Sequence, residues 1–375
     1  MTNTPLTRPQ PEPARPAPPP AERKLRIVIL GLSITSSWGN GHATTYRALV
    51  RALDRRHHEV LFLERDVPWY ASHRDLPHPP YGETRLYHDL ESLQRCYREA
   101  IRRADLVVVG SYVPDGVAVG EWVVATAQGK TAFYDIDTPV TMAKLARGDT
   151  EYLSPALIPR YDLYLSFSSG PVLHTLMERY GSPRARPLHC AVDPDLYYPE
   201  EQRLRWVLGY MGTYSPDRQP GLEALLLTVA KRAPAQDFVV AGPSFPAEID
   251  WPQNVQRIEH LPPSEHRAFY NSQRYTLNLT RADMRAAGYS PSVRLFEAAA
   301  CGTPIISDAW AGLETFFTLD TEILVAHSAG DVHRYLTEIP EAERRAIAVR
   351  ARTRVLQEHT AAHRAHQLEC YVAEL

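Results

Sequence analysis

Short, unbroken apolar runs alternate along this chain with longer segments whose apolar residues recur at helical spacing. Leu25-Arg-Ile-Val-Ile-Leu-Gly31 ends in glycine and reads as a strand buried on both faces. A polar loop, Ser33 to Gly41, follows. From His42 the apolar positions Ala43, Tyr46, Leu49, Val50 and Leu53 predict a helix, and Val60 to Leu63 a second strand. Further strands are expected at Asp105 to Gly110, Thr131 to Tyr134 and Asp162 to Phe167, with helical stretches between them, notably Glu91 to Arg103. Around Pro194 to Gln202 the chain turns polar and proline-rich, which marks a domain boundary, and then the pattern restarts. Trp206 to Gly212, Phe238 to Ala241, Tyr275 to Leu279, Pro304 to Ser307 and Ile323 to Ala326 read as strands. Leu222 to Lys231 and Val293 to Ala300 read as helices, and the chain from Asp331 onward is mainly helical. Alternating strands and helices imply an α/β fold: two doubly wound parallel domains, residues 25–198 and 199–358, facing across a cleft. Ligands bind such sheets at the C-terminal ends of the strands, so the cleft is the expected site.

Composition narrows the function classes. A length of 375 residues suits two domains, and 44% apolar with 23% charged residues is ordinary for a globular protein. A formal net charge of −3 gives no electrostatic case for nucleic acid or an anionic membrane as partner. No apolar run approaches the roughly 18 residues of a membrane span, and the N-terminus lacks a signal-peptide pattern. Cys96, Cys190, Cys301 and Cys370 are far apart, which suggests reduced thiols and a cytoplasmic protein without a metal cluster. Residues 1–24 differ: eight prolines lie between Pro5 and Pro20 with almost nothing apolar to bury, as in a disordered or polyproline II tail.

The chemistry concentrates in Gly288-Tyr-Ser-Pro-Ser-Val-Arg-Leu-Phe-Glu-Ala-Ala-Ala-Cys-Gly-Thr-Pro-Ile-Ile-Ser307. A polar loop of small residues leads directly into a helix, whose first N–H groups and dipole favour an anion. Ser290 and Ser292 could add hydroxyl donors and Arg294 positive charge. Glu297, one turn into the helix, could accept hydrogen bonds from two ribose hydroxyls. Upstream, Tyr210-Met-Gly-Thr-Tyr-Ser-Pro-Asp-Arg-Gln219 places Gly212, Thr213 and Arg218 just after a strand, where Arg218 could bind phosphate oxygens bidentately.

Phe296-Glu-Ala-Ala-Ala-Cys-Gly-Thr-Pro-Ile-Ile306 resembles the signature of family 4 glycosyltransferases, which have the GT-B fold of two Rossmann-like domains. The resemblance implies that Glu297 binds the donor ribose. The family's second glutamate, eight residues earlier, is Tyr289 here. Arg218 falls at the family's diphosphate-binding lysine, whereas the family's upstream arginine is Thr213. Gly312-Leu-Glu314 is similar, more distantly, to a later Gly-x-x-Glu region. The wording from Tyr289 to Glu297, with Trp38-Gly-Asn-Gly-His-Ala-Thr-Thr-Tyr46 and Tyr134-Asp-Ile-Asp-Thr-Pro139, resembles the CgeB-type, spore-maturation-like subgroup. This implies a nucleoside-diphosphate sugar as donor, a UDP-sugar first among candidates, with no cofactor, no metal and retention at the anomeric carbon. It also implies that residues 359–375 form a helix that returns to the N-terminal domain. The acceptor is left open.

On the N-terminal side, the glycines of Gly39-Asn40-Gly41 would let a ligand approach the backbone at a helix start. His42 could be a general base or a donor to phosphate. Asp135-Ile-Asp137 imitates a D-x-D metal motif, but in this architecture Asp137 is expected at the cleft, positioning an acceptor hydroxyl or capping a helix. A dinucleotide fingerprint fits poorly, because the loop after Gly31 is too long for its tight turn and Thr44 stands at the third glycine. His189, Asp193 and His260 have no metal-site spacing. Two other functions fit the same fold: a sugar-nucleotide epimerase or phosphorylase, and a non-catalytic nucleotide binder.

Overall fold

The computed structural model describes residues 23–375. The proline-rich segment from Pro5 to Pro20 lies outside them. Among the described residues, thirteen strands form two all-parallel sheets. The N-terminal sheet holds β1 (Arg26–Gly31), β2 (Glu59–Arg65), β3 (Glu83–Tyr87), β4 (Leu106–Gly110), β5 (Lys130–Asp135), β6 (Leu163–Ser166) and β7 (Ala185–Pro187), in the order β3-β2-β1-β4-β5-β6-β7. The C-terminal sheet holds β8 (Trp206–Met211), β9 (Phe238–Ala241), β10 (Val255–Ile258), β11 (Gln273–Asn278), β12 (Ile305–Asp308) and β13 (Leu324–Ala326), in the order β10-β9-β8-β11-β12-β13. In register, Val28 lies between Leu61 and Val107, and Leu208 between Phe238 and Tyr275. These central runs are apolar on both faces because helices cover both sides of each sheet.

Three strands escaped the sequence pattern: β3, β7 and β10. Each is at or next to the sheet edge and mostly exposed or half-buried, so it needs no apolar run. The helix expected from Leu222 starts earlier, at Gln219, and passes through a π-helical turn over Glu223–Leu227. Pro220 in its first turn is compatible with helix, since the missing N–H has no partner there anyway.

In both sheets the winding direction reverses beside the first strand, between β1 and β4 and between β8 and β11. The loops that leave β1 and β8 therefore open at crevices. The two crevices face each other.

The chain crosses between the domains twice. It runs from β7 to β8, and it returns at the end. The backbones of Val192 and Thr360 pair as a parallel bridge. The helix Ala361–Ala373 then packs on the helix His42–Arg55, where Glu369 accepts Arg56 Nε at 2.5 Å and faces His58 Nε2 at 2.7 Å. One apolar layer, including Leu49, Phe167, Leu188, Phe296 and Ala365, is continuous through both domains.

This joint carries a pH prediction. His359 is stacked on Phe296 at 4.7 Å and contacts the Arg364 guanidinium through Nδ1 at 2.8 Å. Burial and the Arg364 charge push His359 down to about 2 and His189 to about 3, against an ordinary 6.5. Both imidazoles are neutral in the folded protein and take up protons on unfolding below pH 6.5. Their contribution is thus complete above pH 6.5 and lost as pH falls, by up to about 1.4 kcal/mol per pH unit for each ring. Urea midpoints should drop between pH 7 and pH 5, and less in a His189→Gln, His359→Gln variant. Equal slopes for the two proteins would contradict this.

Candidate functional site

The facing crevices enclose a cavity of about 440 Å³ lined by both domains. The structure brings all twelve of the residues singled out in the sequence to its wall: Gly39, Asn40, Gly41, His42 and Asp137 from one side, and Gly212, Thr213, Arg218, Ser290, Ser292, Arg294 and Glu297 from the other.

The helix Val293–Ala300 sets the C-terminal wall. Ser292 is its N-cap and accepts from the Arg294 N–H, which satisfies one of the helix's free donors. The Ser292 hydroxyl also accepts Arg294 Nε at 3.0 Å, and Arg294 Nη1 donates to the Met211 carbonyl at 2.9 Å. The guanidinium thus lies across the end of β8. Gly212 is what admits it, because a Cβ there would stand 2.6 Å from Arg294 Nη1. Ser290 is placed differently from the hydroxyl donor anticipated. It is buried, donates to the Gly288 carbonyl at 2.9 Å and meets Ser168 Oγ across the domain joint, so its proton is already used.

Arg218 stands at the start of the helix that follows the β8 loop. Nη2 donates to the Thr213 carbonyl at 2.5 Å, while Nε is buried without a partner. Thr213 itself is exposed, and its part in the contact is backbone. Burial pushes the Arg218 guanidinium below its ordinary value, and the charges of Arg294 and Arg281 add to the effect. Among the described residues, neither Arg218 nor Arg294 forms an ion pair with a carboxylate. Arg218 feels the like charges of Arg294 and Arg281, with Asp217 acting the other way, and a bound anion would relieve the repulsion.

Glu297, 2% exposed, sits beneath the cationic loop one turn deeper in the helix. Tyr270 donates to Oε2 at 3.1 Å, and His266 Nδ1 stands 3.9 Å away. Burial first, then the Glu297 charge, drives the Tyr197 and Tyr270 hydroxyls well above their ordinary value. Burial pulls His266 down despite Glu297 beside it. With Nε2 facing the Leu261 carbonyl at 3.2 Å, the hydrogen is assigned to Nε2, leaving Nδ1 to accept from Tyr197. With one hydrogen bond from neutral Tyr270 and no cation bonded to it, Glu297 keeps acceptor capacity for hydroxyl groups.

On the opposite wall, Asn40 organises the β1 loop. Its Oδ1 accepts the His42 N–H at 3.1 Å and its Nδ2 donates to the Ser33 and Ser36 carbonyls. Asn40 therefore shapes the loop through its side chain, and Gly39 and Gly41 leave the cavity wall open beside it. His42 begins the helix, with Nε2 3.4 Å from Asp137 Oδ2 and Nδ1 buried without a partner. Asp137 also accepts the Tyr112 hydroxyl at 3.2 Å and lies 3.9 Å from Arg281 Nη1. Burial raises the Asp137 pKa, but His42, Arg281 and Tyr112 together outweigh it and hold the carboxyl below its ordinary value. Its side chain caps no helix. The D-x-D pair is split: Asp135 is fully buried, accepts from Tyr164 and Thr141, and is pushed up to about 6 by burial. Among the described residues, no group of three His, Cys, Asp or Glu could hold a metal ion.

Tyr289 stands outside the cavity wall. It takes a left-handed φ of +52°, and its ring is wedged between Gly170 of one domain and Gly312 of the other, where a Cβ would come within 2.6 and 2.5 Å of the ring. Its carbonyl accepts the Ser169 N–H at 3.0 Å. This position pins the domains together.

Sequence reasoning missed Tyr112, Tyr197, His266, Tyr270 and Arg281. Four of these have no local pattern. Arg281 had one usable signal: it closely follows the apolar run Tyr275 to Leu279, at the strand end that faces the cleft.

Residues 218–369 match the family model described as glycosyl transferase-like. Comparison with curated proteins finds no match. The fold is similar to HepE of Anabaena in complex with UDP and glucose, with a TM-score of 0.70 and 13% identity over 94% of this chain and 100% of that one. Sucrose-phosphate synthase of Thermosynechococcus elongatus gives 0.67 and 17% over 93% and 98%. An alpha-glucosyltransferase in complex with UDP-glucose and DNA containing an abasic site gives 0.71 and 13% over 94% and 100%. The likeness establishes the two-domain GT-B architecture across nearly the whole described chain, and the C-terminal domain is glycosyl transferase-like.

Proposed function

We propose that this GT-B protein with a glycosyl transferase-like C-terminal domain moves a sugar from a nucleoside-diphosphate sugar to an acceptor hydroxyl. The observation that carries the reading is the pairing, on one wall, of unpaired Arg218 and Arg294 with buried Glu297. The two guanidiniums and the start of the helix Val293–Ala300 receive the diphosphate, and Glu297 receives the ribose. As the bond from sugar to phosphate breaks, negative charge builds on the departing diphosphate. Fixed positive groups stabilise that charge without reorganising, which is where most of the catalysis arises. The scheme routes no step through a metal. The acceptor hydroxyl approaches from the N-terminal wall, where His42 and Asp137 orient it. UDP in the complexes of HepE and the alpha-glucosyltransferase makes a UDP-sugar the first donor to test. Retention at the anomeric carbon and membership of the CgeB-type subgroup belong to the same proposal and rest on the motif resemblance.

The position of Tyr289 supports a second reading, a nucleotide binder without turnover, because no carboxylate reaches the cavity from there. A thermal-shift screen against UDP, GDP, ADP, dTDP and CMP tests the donor site, since a ligand that binds only the folded state raises Tm. One nucleoside diphosphate should raise Tm clearly; no shift with any would overturn the reading. Release of the same diphosphate from its sugar conjugate, dependent on an added acceptor, separates a transferase from a silent binder and from an epimerase.

A further inference from the structure

Arg281 belongs to no motif, yet it lines the cavity with its side chain 37% exposed. It follows β11 in the C-terminal domain and reaches across the cleft to Asp137 of the N-terminal domain. At 3.9 Å the contact is too long for a hydrogen bond, and it opens on the cavity, so little holds it. Asp137 is gripped from its own side by His42 and Tyr112, which remain in place if Arg281 leaves.

The charge balance of the cavity gives Arg281 somewhere to go. Among the described residues, its lining arginines are Arg218, Arg281 and Arg294, and no lysine lines it. All three face the same cavity, from the loops and the helix that follow β8 and β11. A nucleoside-diphosphate sugar carries about two negative charges and the released diphosphate about three at neutral pH. Arg218 and Arg294 match the first state. Arg281 is the remaining arginine of the wall, and by joining the diphosphate at donor binding it puts a third positive charge in place before the extra negative charge develops.

We propose that Arg281 exchanges partners, leaving Asp137 for the diphosphate when the donor binds and so exposing the Asp137 carboxylate to the acceptor. The exchange rests on the donor-site reading above. It links the two walls of the cleft: the donor enters first, and the acceptor's anchoring group becomes free only then. Asp137 keeps its contacts with His42 and Tyr112 after the exchange.

The test is isothermal titration of the full chain with UDP, or with whichever nucleoside diphosphate raises Tm. Arg281→Gln should weaken binding about tenfold, and Arg281→Lys should recover part of the loss. Asp137→Asn should tighten binding severalfold in the wild-type background, because Arg281 no longer has to be withdrawn from a partner. In the Arg281→Gln background the same change should do almost nothing. Wild-type affinity in Arg281→Gln overturns the exchange. So does equal tightening by Asp137→Asn in both backgrounds, since Asp137 would then act as a simple repulsive charge. If the wild-type chain binds no nucleoside diphosphate, the first titration shows it, and the donor-site reading itself has failed.

Discussion

Replacing Arg218 with alanine should lower turnover of the donor by about two to three orders of magnitude, the loss expected when a preorganised group aimed at developing charge is removed. In the proposed function that group is the Arg218 guanidinium. Its Nη2 is anchored on the Thr213 carbonyl, its Nε is buried without a partner, and among the described residues it forms no ion pair with a carboxylate. The helix that begins at Gln219 adds its N-terminal end beside it. The cost should fall mainly on kcat, because the departing diphosphate carries more charge than the bound donor. Arg218→Ala should also melt at or above the wild-type temperature, since it removes repulsion from Arg294 and Arg281. Near-normal kcat would take Arg218 out of the site. A large fall in Tm would mean that its role is structural.

Glu297→Gln should weaken donor binding by about ten- to a hundredfold with a smaller change in kcat. A glutamine keeps the shape but replaces one acceptor oxygen with a donor, and hydrogen bonds to a charged acceptor are worth about 1.5–3 kcal/mol. Because Tyr270 donates to Oε2, a small loss of stability should accompany the change. Titration with the nucleoside diphosphate and with the corresponding 2′,3′-dideoxyribose compound checks the assignment. The variant and the wild-type protein should bind the dideoxy compound with similar affinity. If the variant retains full affinity for the normal ligand, Glu297 does not hold the ribose.

Much of the site was legible because its chemistry is local. Ser292, Arg294 and Glu297 share one short helix, with Arg294 and Glu297 one turn apart, so a single stretch of sequence displays cap, cation and carboxylate together. Arg218 was legible for a similar reason: it follows an apolar run that ends at Met211, and loops after such strands open at the cleft. Ser290 lines the cavity as expected, but its hydroxyl is less free than the sequence suggests. Its sequence context shows a turn, and only the packing of Ser168 against it shows that the hydroxyl is already engaged.

The sequence by itself determined the two parallel α/β domains and the elements that carry the site. Buried strands and amphipathic helices follow from apolar spacing within a few residues, and capping follows from neighbours on one turn. Only the tertiary structure decided how the halves work together. The ring of Tyr197, His266 and Tyr270 around Glu297 draws on residues from 27 to 100 positions away, and Arg281 meets Asp137 from the other domain. Tyr289 became an interdomain wedge because two glycines, Gly170 and Gly312, leave room for its ring on either side. Such contacts depend on how two separately wound sheets are set against each other. That arrangement is settled by the summed burial of the shared apolar layer and the returning helix Ala361–Ala373, which no local periodicity records.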